Sequence, residues 1–293
     1  MKNKLSLFAV PYVGWMSIFV VAPIIIMVVY AFSTAAGDFS LENFARMGTY
    51  TAVFTRSFKL AIIATLIALL IGYPVSYMLS KEGPQVQRIA MVLIMLPMWM
   101  NFLLRTYSWM SILENNGLLN QLFQQIGLID LYNQIAMHFA SDPAAYVPID
   151  HFQMIGTQGA VVLGMVYNYL PFMILPIYSV LVKLDHSLIE AARDLGASSV
   201  QVFRKVILPL SLPGVLSGIT MVFVPSVSTF AISRLLGGGT QMMLGDLIEQ
   251  QFLGGAYNPQ LGAAIALEMM AIVVVCMLVM NRFGDGEEQA VML

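Results

Sequence analysis

Six segments of this chain carry almost no charge over 20 or more residues each. A helix needs about 20 apolar residues to cross the hydrocarbon core of a bilayer. The segments are residues 5–32, 60–80, 89–113, 159–182, 206–232 and 261–280, with Arg105 interrupting the third and Glu268 the sixth. All are too long for membrane strands, which run to about ten residues. The sequence therefore predicts an all-α integral membrane protein with six transmembrane helices.

The composition supports one membrane domain spanning residues 1–293. The chain is 59% hydrophobic and 10% charged, whereas soluble domains carry about 25% charged residues. Lys2 and Lys4 precede the first segment in the manner of a signal peptide, whose apolar core is about 7–15 residues long. No charge occurs between residues 5 and 37, so we expect an uncleaved first helix. No basic tract suggests binding to nucleic acid.

The distribution of lysine and arginine predicts the orientation of the chain. Nine of the 14 basic residues lie on the side that holds the N-terminus, and the connection 114–158 contains none. Because cytoplasmic loops are enriched in Lys and Arg, both termini are expected in the cytoplasm. Arg105 is expected near the outer interface, with its side chain reaching water as a structural anchor.

The outer connection 114–158 is long and partly helical in pattern. Apolar residues recur at helical spacing from Leu118 to Ile126, which predicts a short helix lying on the surface. Residues 141–146 contain Pro, Asp and Ala and are expected to form a loop.

The inner connection between the fourth and fifth segments, residues 184–209, is here called the elbow. Ser187 with Glu190 and Ser198 with Gln201 have the spacing of capping boxes, which predicts that a helix begins at each serine. Gly196 lies between them and is suited to the left-handed conformation that ends a helix. The pattern predicts two short helices with exposed apolar faces, which either lipid headgroups or a protein partner could cover.

The elbow resembles a known motif. Glu190-Ala191-Ala192, then Gly196, then Ile207-Leu208-Pro209 match the "EAA" loop of ABC importer permeases over some twenty positions. In that family the loop docks into the ATP-hydrolysing subunit and transmits its closure to the membrane helices. The resemblance implies a type I importer bundle in the bacterial cytoplasmic membrane. It assigns ATPase coupling to the following residues: Glu190, Ala191, Ala192, Gly196, Phe203, Leu208 and Pro209.

The same resemblance implies the partners and cofactors. It predicts a homodimeric ATP-binding subunit, a second homologous permease, a substrate-binding protein outside the cell, and membrane lipid. No Gly-rich loop ending in Gly-Lys-Ser/Thr occurs in the chain. We therefore expect a non-catalytic subunit without a cofactor of its own and without a metal, whose partner ATPase uses ATP and Mg²⁺.

The rest of the chain resembles the spermidine/putrescine importer permeases, and among them the B-type subunit. The stretches that carry this resemblance are residues 96–99, 105–107, 117–120, 167–173 and 237–239. The outer stretch 132–158 is longer than the family pattern, and it lies on the side where a binding protein would dock.

A polyamine pathway needs carboxylates and aromatic faces, because both attract ammonium groups. The membrane segments offer these candidates: Tyr107, Trp109, Tyr167, Asn168, Tyr169 and Glu268. Each aromatic residue has the alternative role of interfacial anchor or packing residue. For Glu268 the alternatives are a protonated acid bonded to a neighbouring helix, or a pair with a basic residue of the second permease.

Other functions remain open on the sequence alone. Related permeases carry iron, phosphonates or opines. A stand-alone secondary transporter would not need a capped elbow and usually shows inverted repeats, of which none is visible. An intramembrane enzyme would need catalytic groups at membrane depth, but His138, His151 and His186 all fall in connections. The single cysteine, Cys276, excludes an internal disulfide.

Overall fold

A computed structural model describes the backbone of residues 11–139 and 146–291, and side chains up to residue 279. Residues 1–10, 140–145 and 292–293 lie outside the described residues. The start of the first predicted segment and most of the predicted loop 141–146 therefore have no structural counterpart to compare. Within the described residues the regular secondary structure is helical, apart from one isolated bridge between Ser33 and Phe39.

Twelve helical segments are used below and numbered in chain order. They are α1 Pro11–Ala31, α2 Thr51–Ser80, α3 Pro84–Trp99, α4 Phe102–Leu113, α5 Leu118–Gln125, α6 Leu128–Phe139, α7 Gln158–Leu181, α8 His186–Asp194, α9 Ser199–Ser228, α10 Ala231–Leu236, α11 Leu244–Leu253 and α12 Pro259–Val291. Five of these stretches are long and apolar enough to cross a membrane. The bent pair that begins with α3 supplies a sixth.

The third predicted segment, residues 89–113, is not one straight helix. The chain turns by 90° between Pro84–Trp99 and the helical stretch Phe102–Gln125. Pro97 weakens the end of α3 because it lacks a backbone N–H, and Met100 is extended. Asn101 then caps α4 by accepting hydrogen bonds from Leu103 N (2.8 Å) and Leu104 N (3.4 Å).

The fifth segment also differs from its prediction of 206–232. Helix α9 begins earlier, at Ser199, and ends at Ser228, where Thr229 is extended. The chain then continues as the separate short helix α10. The fourth segment, predicted at 159–182, corresponds to α7 within one residue at each end.

Helices α2, α7 and α9 form the centre of the bundle. Small residues let them approach closely, as is common between membrane helices. A Cβ added to Gly214 of α9 would come within 2.8 Å of the Pro176 carbonyl oxygen on α7. A Cβ on Gly218 would meet the Met173 sulfur at 2.8 Å, and one on Gly72 of α2 would meet Met173 Cγ at 2.9 Å.

Helix α1 stands apart from this centre. None of residues 11–30 is buried, although Ala31 at its end is, and the helix packs on α12 near that end. A π-turn occupies Ser17–Val21, with Ala22 N donating to Ser17 O, directly before Pro23. The wider turn relieves the clash between a proline ring and the carbonyl four residues earlier.

The ends of the bundle carry different structures. The elbow lies at the end where α2 and α7 finish, and this is called the elbow end. The far end carries α5, α6, α10 and α11. Helix α5 occupies the stretch predicted to be a surface helix, and Gly127, with φ of 72°, turns the chain into α6. Asn120 holds this hairpin by donating to Phe152 O and accepting from Phe152 N.

Candidate functional site

The first helix of the elbow, α8, has its N-cap two residues before the predicted capping box. Asp185 is the N-cap, and its Oδ1 accepts a hydrogen bond from Ser187 N at 2.9 Å. These bonds from Ser187 hold the pKa of the exposed Asp185 carboxyl below its usual range. Ser187 therefore lies inside the helix, and the predicted box with Glu190 is wrong. Asp185 competes successfully because aspartate caps a helix as well as serine does.

The glycine turn of the elbow follows the prediction. Gly196 has φ of 80°, the left-handed region. Its N–H donates to Arg193 O at 2.8 Å, and Ala197 N donates to Ala192 O at 3.1 Å. This pair of bonds is a Schellman motif, which satisfies the last carbonyls of α8. Ala192 and Ala197 both pack against the apolar cluster at the elbow end of the bundle.

The second half of the elbow leads directly into a membrane span. The predicted box is confirmed, since Gln201 N donates to Ser198 Oγ (3.4 Å) and Ser198 N donates to Gln201 Oε1 (2.8 Å). A π-turn at Phe203–Ile207 follows, in which Leu208 N donates to Phe203 O. As in α1, this turn stands directly before a proline, here Pro209.

Phe203 joins the elbow to the second span. Its ring packs edge-on against Tyr73 (5.8 Å between centroids) and Tyr77 (5.6 Å) of α2. The Tyr73 hydroxyl lies 2.8 Å from Ser211 Oγ of α9, and the Lys81 ammonium lies 3.8 Å from the centre of the Tyr77 ring. A displacement of the elbow therefore acts on α2 through side chains already in contact.

The elbow residues predicted to couple with an ATPase divide into two sets. Glu190, Ala191, Gly196 and Leu208 are exposed, whereas Ala192, Phe203 and Pro209 are half-buried against the bundle. Exposed apolar side chains lie beside the first set, with Leu195 at 89% exposure and Val200 at 66%. The elbow thus presents one outward apolar face and one inward anchoring face.

The candidate pathway residues are only partly brought together. Trp109 of α4 packs edge-on against Tyr167 of α7 at 5.3 Å between centroids. The Tyr169 hydroxyl donates to Pro225 O of α9 at 3.5 Å. Asn168 is buried and donates from Nδ2 to Gly164 O at 2.8 Å.

Two other candidates stand outside this cluster. Tyr107 is 47% exposed and makes neither of these contacts. Glu268 is half-buried on α12, a helix that packs on α1, α9 and α11. The structure therefore does not place Glu268 among the aromatic residues of α4 and α7.

Arg105 contradicts its predicted position. It is only 8% exposed and does not reach solvent as an interfacial anchor. The prediction measured its depth along a straight helix, but the 90° turn before α4 carries the residue into the bundle against α7 and α10. Its Nε and Nη1 atoms are fully enclosed and have no hydrogen-bond acceptor among the described residues.

A buried carboxylate at the far end was missed by the sequence reading. Asp246 of α11 accepts hydrogen bonds from Ser233 Oγ of α10 (2.5 Å) and from Met243 N (2.9 Å). Burial raises the pKa of the Asp246 carboxyl, and the two hydrogen bonds oppose that rise. The sequence pattern that could have revealed Asp246 is an acidic residue at the third position of a helix, where it can bond to the backbone at the start of that helix.

A family model described as "Binding-protein-dependent transport system inner membrane component" matches residues 68–286. The match covers most of the chain and the whole elbow. The chain belongs to this family. The predicted family and fold class are confirmed, and the protein is a multi-pass permease subunit of an ABC importer in the inner membrane.

Individual relatives extend the similarity to nearly the full length. The chain is 34% identical over 281 residues to the spermidine/putrescine transport system permease protein PotB of Escherichia coli (strain K12), covering 93% of this chain and 95% of that protein. PotB of Haemophilus influenzae is 33% identical over 290 residues, covering 96% and 94%. The inner membrane ABC transporter permease protein YdcU of E. coli is 28% identical over 234 residues, covering 79% and 71%.

Solved structures share the fold. A bacterial ABC transporter involved in import of the acidic polysaccharide alginate superposes with a TM-score of 0.76 at 16% identity, covering 97% of this chain and 96% of that one. The alginate transporter in complex with its substrate-bound periplasmic protein gives a TM-score of 0.68 at 18% identity, covering 99% and 96%. At these identities the likeness concerns the fold alone.

Proposed function

We propose that this permease is the B-type subunit of an importer for polyamines such as spermidine and putrescine. The observation that carries the proposal is the 33–34% identity to spermidine/putrescine permeases over 93–96% of the chain. The aromatic contact between Trp109 and Tyr167 supports it, because aromatic faces attract ammonium groups. Tyr107, Asn168, Tyr169 and Glu268 are further candidates for the substrate pathway.

The elbow is proposed to dock a homodimeric ATP-binding subunit. Its outward face joins the exposed side chains of Leu188, Ala191, Leu195 and Val200. An apolar surface of this kind beside a membrane requires a cover, and a cleft in a protein partner provides one. The elbow end would then be cytoplasmic, together with both termini. ATP and Mg²⁺ would be used by that partner, and this chain would be non-catalytic.

A second, homologous permease is proposed to complete the pathway. The chain contains one elbow, which can fill only one of the two docking clefts of a dimeric ATPase. The second cleft would then be filled by the elbow of another permease. Helix α1 supports this arrangement because none of residues 11–30 is fully buried, although the helix packs on α12 near Ala31, so most of its surface is free for another permease. A substrate-binding protein is proposed to dock at the far end.

The test is substrate-stimulated ATP hydrolysis by the complete complex in lipid nanodiscs. The cognate binding protein is added with spermidine, putrescine, a ferric chelate, a phosphonate or an opine. We expect stimulation by the polyamines and none by the other solutes. Stimulation by one of the other solutes, with no response to polyamines, would replace the substrate assignment and leave the permease role intact.

A further inference from the structure

Arg105 is an enclosed cation with no counter-ion in the described part of the chain. Ion pairs there join Arg46 to Glu42 and Arg234 to Glu249, and all four of these residues lie towards the far end. Arg105 instead lies on α4, where the turn at Met100–Asn101 directs the helix against α7 and α10. Its exposure is 8%, and its Nε and Nη1 atoms find no acceptor among the described residues.

A purely structural role explains this arrangement poorly. The guanidinium group keeps its positive charge in proteins. Burying a charge is unfavourable by several kcal/mol unless a partner compensates it, and apolar residues of similar volume often serve stability equally well. An arginine near a lipid interface would normally extend to water, whereas two of the three guanidinium nitrogens of Arg105, Nε and Nη1, are enclosed. Buried charges within membrane segments are therefore functional candidates.

The surroundings of Arg105 coincide with the proposed substrate pathway. Helix α4, which carries Arg105, packs against α7, which carries Tyr169. Trp109, one helical turn further along α4, packs on Tyr167 of the same helix. Asn168 has a buried Oδ1 that no described donor reaches. The helix pair that supplies the aromatic faces thus also carries an uncompensated positive charge.

We propose that Arg105 is an electrostatic barrier that keeps small inorganic cations from leaking through the closed pathway. The proposal rests on the proposed function, since it assumes that the pathway runs beside α4 and α7. Two like charges about 8 Å apart at an effective dielectric constant of about 20 repel enough to lower occupancy roughly 30-fold. Membrane pores elsewhere use an arginine in this way to exclude protons and cations.

A polyamine must pass the same charge, so the barrier has to move when the pathway opens. The break before α4 provides a pivot. Met100 and Asn101 both have non-helical backbone between two helices, with ψ of 151° and 130°. Rotation there would carry Arg105 with α4 while leaving α3 in place, in the manner of hinges at the ends of rigid elements.

The experiment measures potassium permeability of liposomes that contain the complete complex, without ATP or binding protein. Arg105→Gln removes the charge and keeps hydrogen-bonding capacity, and Arg105→Lys keeps the charge. We expect potassium flux to rise about tenfold or more in Arg105→Gln and to stay near that of the unmodified complex in Arg105→Lys. Arg234→Gln, at an exposed paired arginine, is the matched control and should not leak.

The barrier proposal would be overturned if Arg105→Gln and the unmodified complex showed the same potassium flux. It would also be overturned if Arg105→Gln and Arg105→Lys raised the flux equally, because that result would indicate a packing role. If Arg105→Gln fails to assemble with the ATPase, Arg105→Met provides the same loss of charge without a buried amide. Failure of both neutral variants to assemble would assign Arg105 a structural role and also end the proposal. Potassium flux needs no substrate, so a wrong polyamine assignment would show only in the ATPase panel.

Discussion

The glycine of the elbow offers the sharpest test of how this permease couples to its ATPase. Gly196 is held at φ of 80°, and a Cβ built on it meets no atom within 4 Å. A substitution there therefore acts through backbone strain and not through a collision. The strain opposes the Schellman turn that sets the angle between α8 and α9.

The expected size of the effect follows from the backbone. The left-handed conformation is unfavourable by about 1–2 kcal/mol for an ordinary residue, and more for a β-branched one. Asparagine tolerates it better than other non-glycine residues. Since about 1.4 kcal/mol corresponds to tenfold in an equilibrium constant, Gly196→Ala should weaken binding of the ATPase by about 5- to 30-fold. Gly196→Val should weaken it further, and Gly196→Asn least.

The assay is affinity of the purified ATPase for the permease pair in nanodiscs, followed by polyamine uptake in liposomes. Gly127 provides a matched control, because it has φ of 72° and equally open space but lies in the hairpin at the far end. Gly127→Val imposes similar strain without touching the elbow. It should leave ATPase affinity unchanged.

Two results would refute this reasoning. Gly196→Val with normal ATPase affinity and normal uptake would show that the turn angle does not matter for docking. A loss of ATPase affinity in Gly127→Val as large as in Gly196→Val would show that strain anywhere destabilises the chain. The loss of ATPase affinity should increase in the order Asn, Ala, Val. This order is a further check, because side-chain volume has no effect on affinity in open space.

Three further predictions concern other sites. Phe203→Ala should lower polyamine uptake per ATP hydrolysed, whereas Phe203→Leu should largely retain it. Truncation of the half-buried phenylalanine to alanine removes roughly 2 kcal/mol of packing energy against α2. Parallel assays of uptake and of ATP hydrolysis measure this ratio. Burial raises the pKa of Asp246, so the protonated carboxyl favours the folded state. The free energy of unfolding should therefore fall as pH rises from about 4 through the raised pKa, and the melting temperature should fall with it. The melting temperature of Asp246→Asn should not show this dependence on pH. Glu268→Gln should slow polyamine uptake if the carboxylate faces the pathway; unchanged rate and apparent affinity in an intact complex would leave only a structural role.

Local rules were sufficient for much of the elbow. The Ser198 box and the positive φ of Gly196 depend on residues within five positions of one another, and both were predicted. The error at the start of α8 was also local, since Asp185 and Ser187 are both good caps and the sequence does not rank them. Helix α6 was not predicted, although local rules indicate it. Its apolar residues at positions 128, 131, 132 and 135 have helical spacing.

Arg105 illustrates what local rules could not supply. Its predicted depth assumed about 1.5 Å of rise per residue through one unbroken helix. Pro97 and Asn101 signalled a possible break, but proline is tolerated within membrane helices, and nothing in the sequence fixes the angle of 90°. The burial of Arg105 depends on how α4 then packs against α7 and α10, which is a property of the assembled bundle.

The continuity of α9 connects the elbow to the surroundings of Arg105. This helix runs through 30 residues from Ser199 to Ser228, about 45 Å at about 1.5 Å per residue. Near the end of α9, the Pro225 carbonyl oxygen accepts a hydrogen bond from the Tyr169 hydroxyl. Helix α10, which follows α9, packs against α4. A displacement applied at the elbow therefore reaches both α2, through Phe203, and the helix that carries Arg105. Docking of the ATPase and lowering of the cation barrier would then be one movement of α9. A Gly196 variant that binds the ATPase poorly should therefore keep the barrier shut when ATP is added.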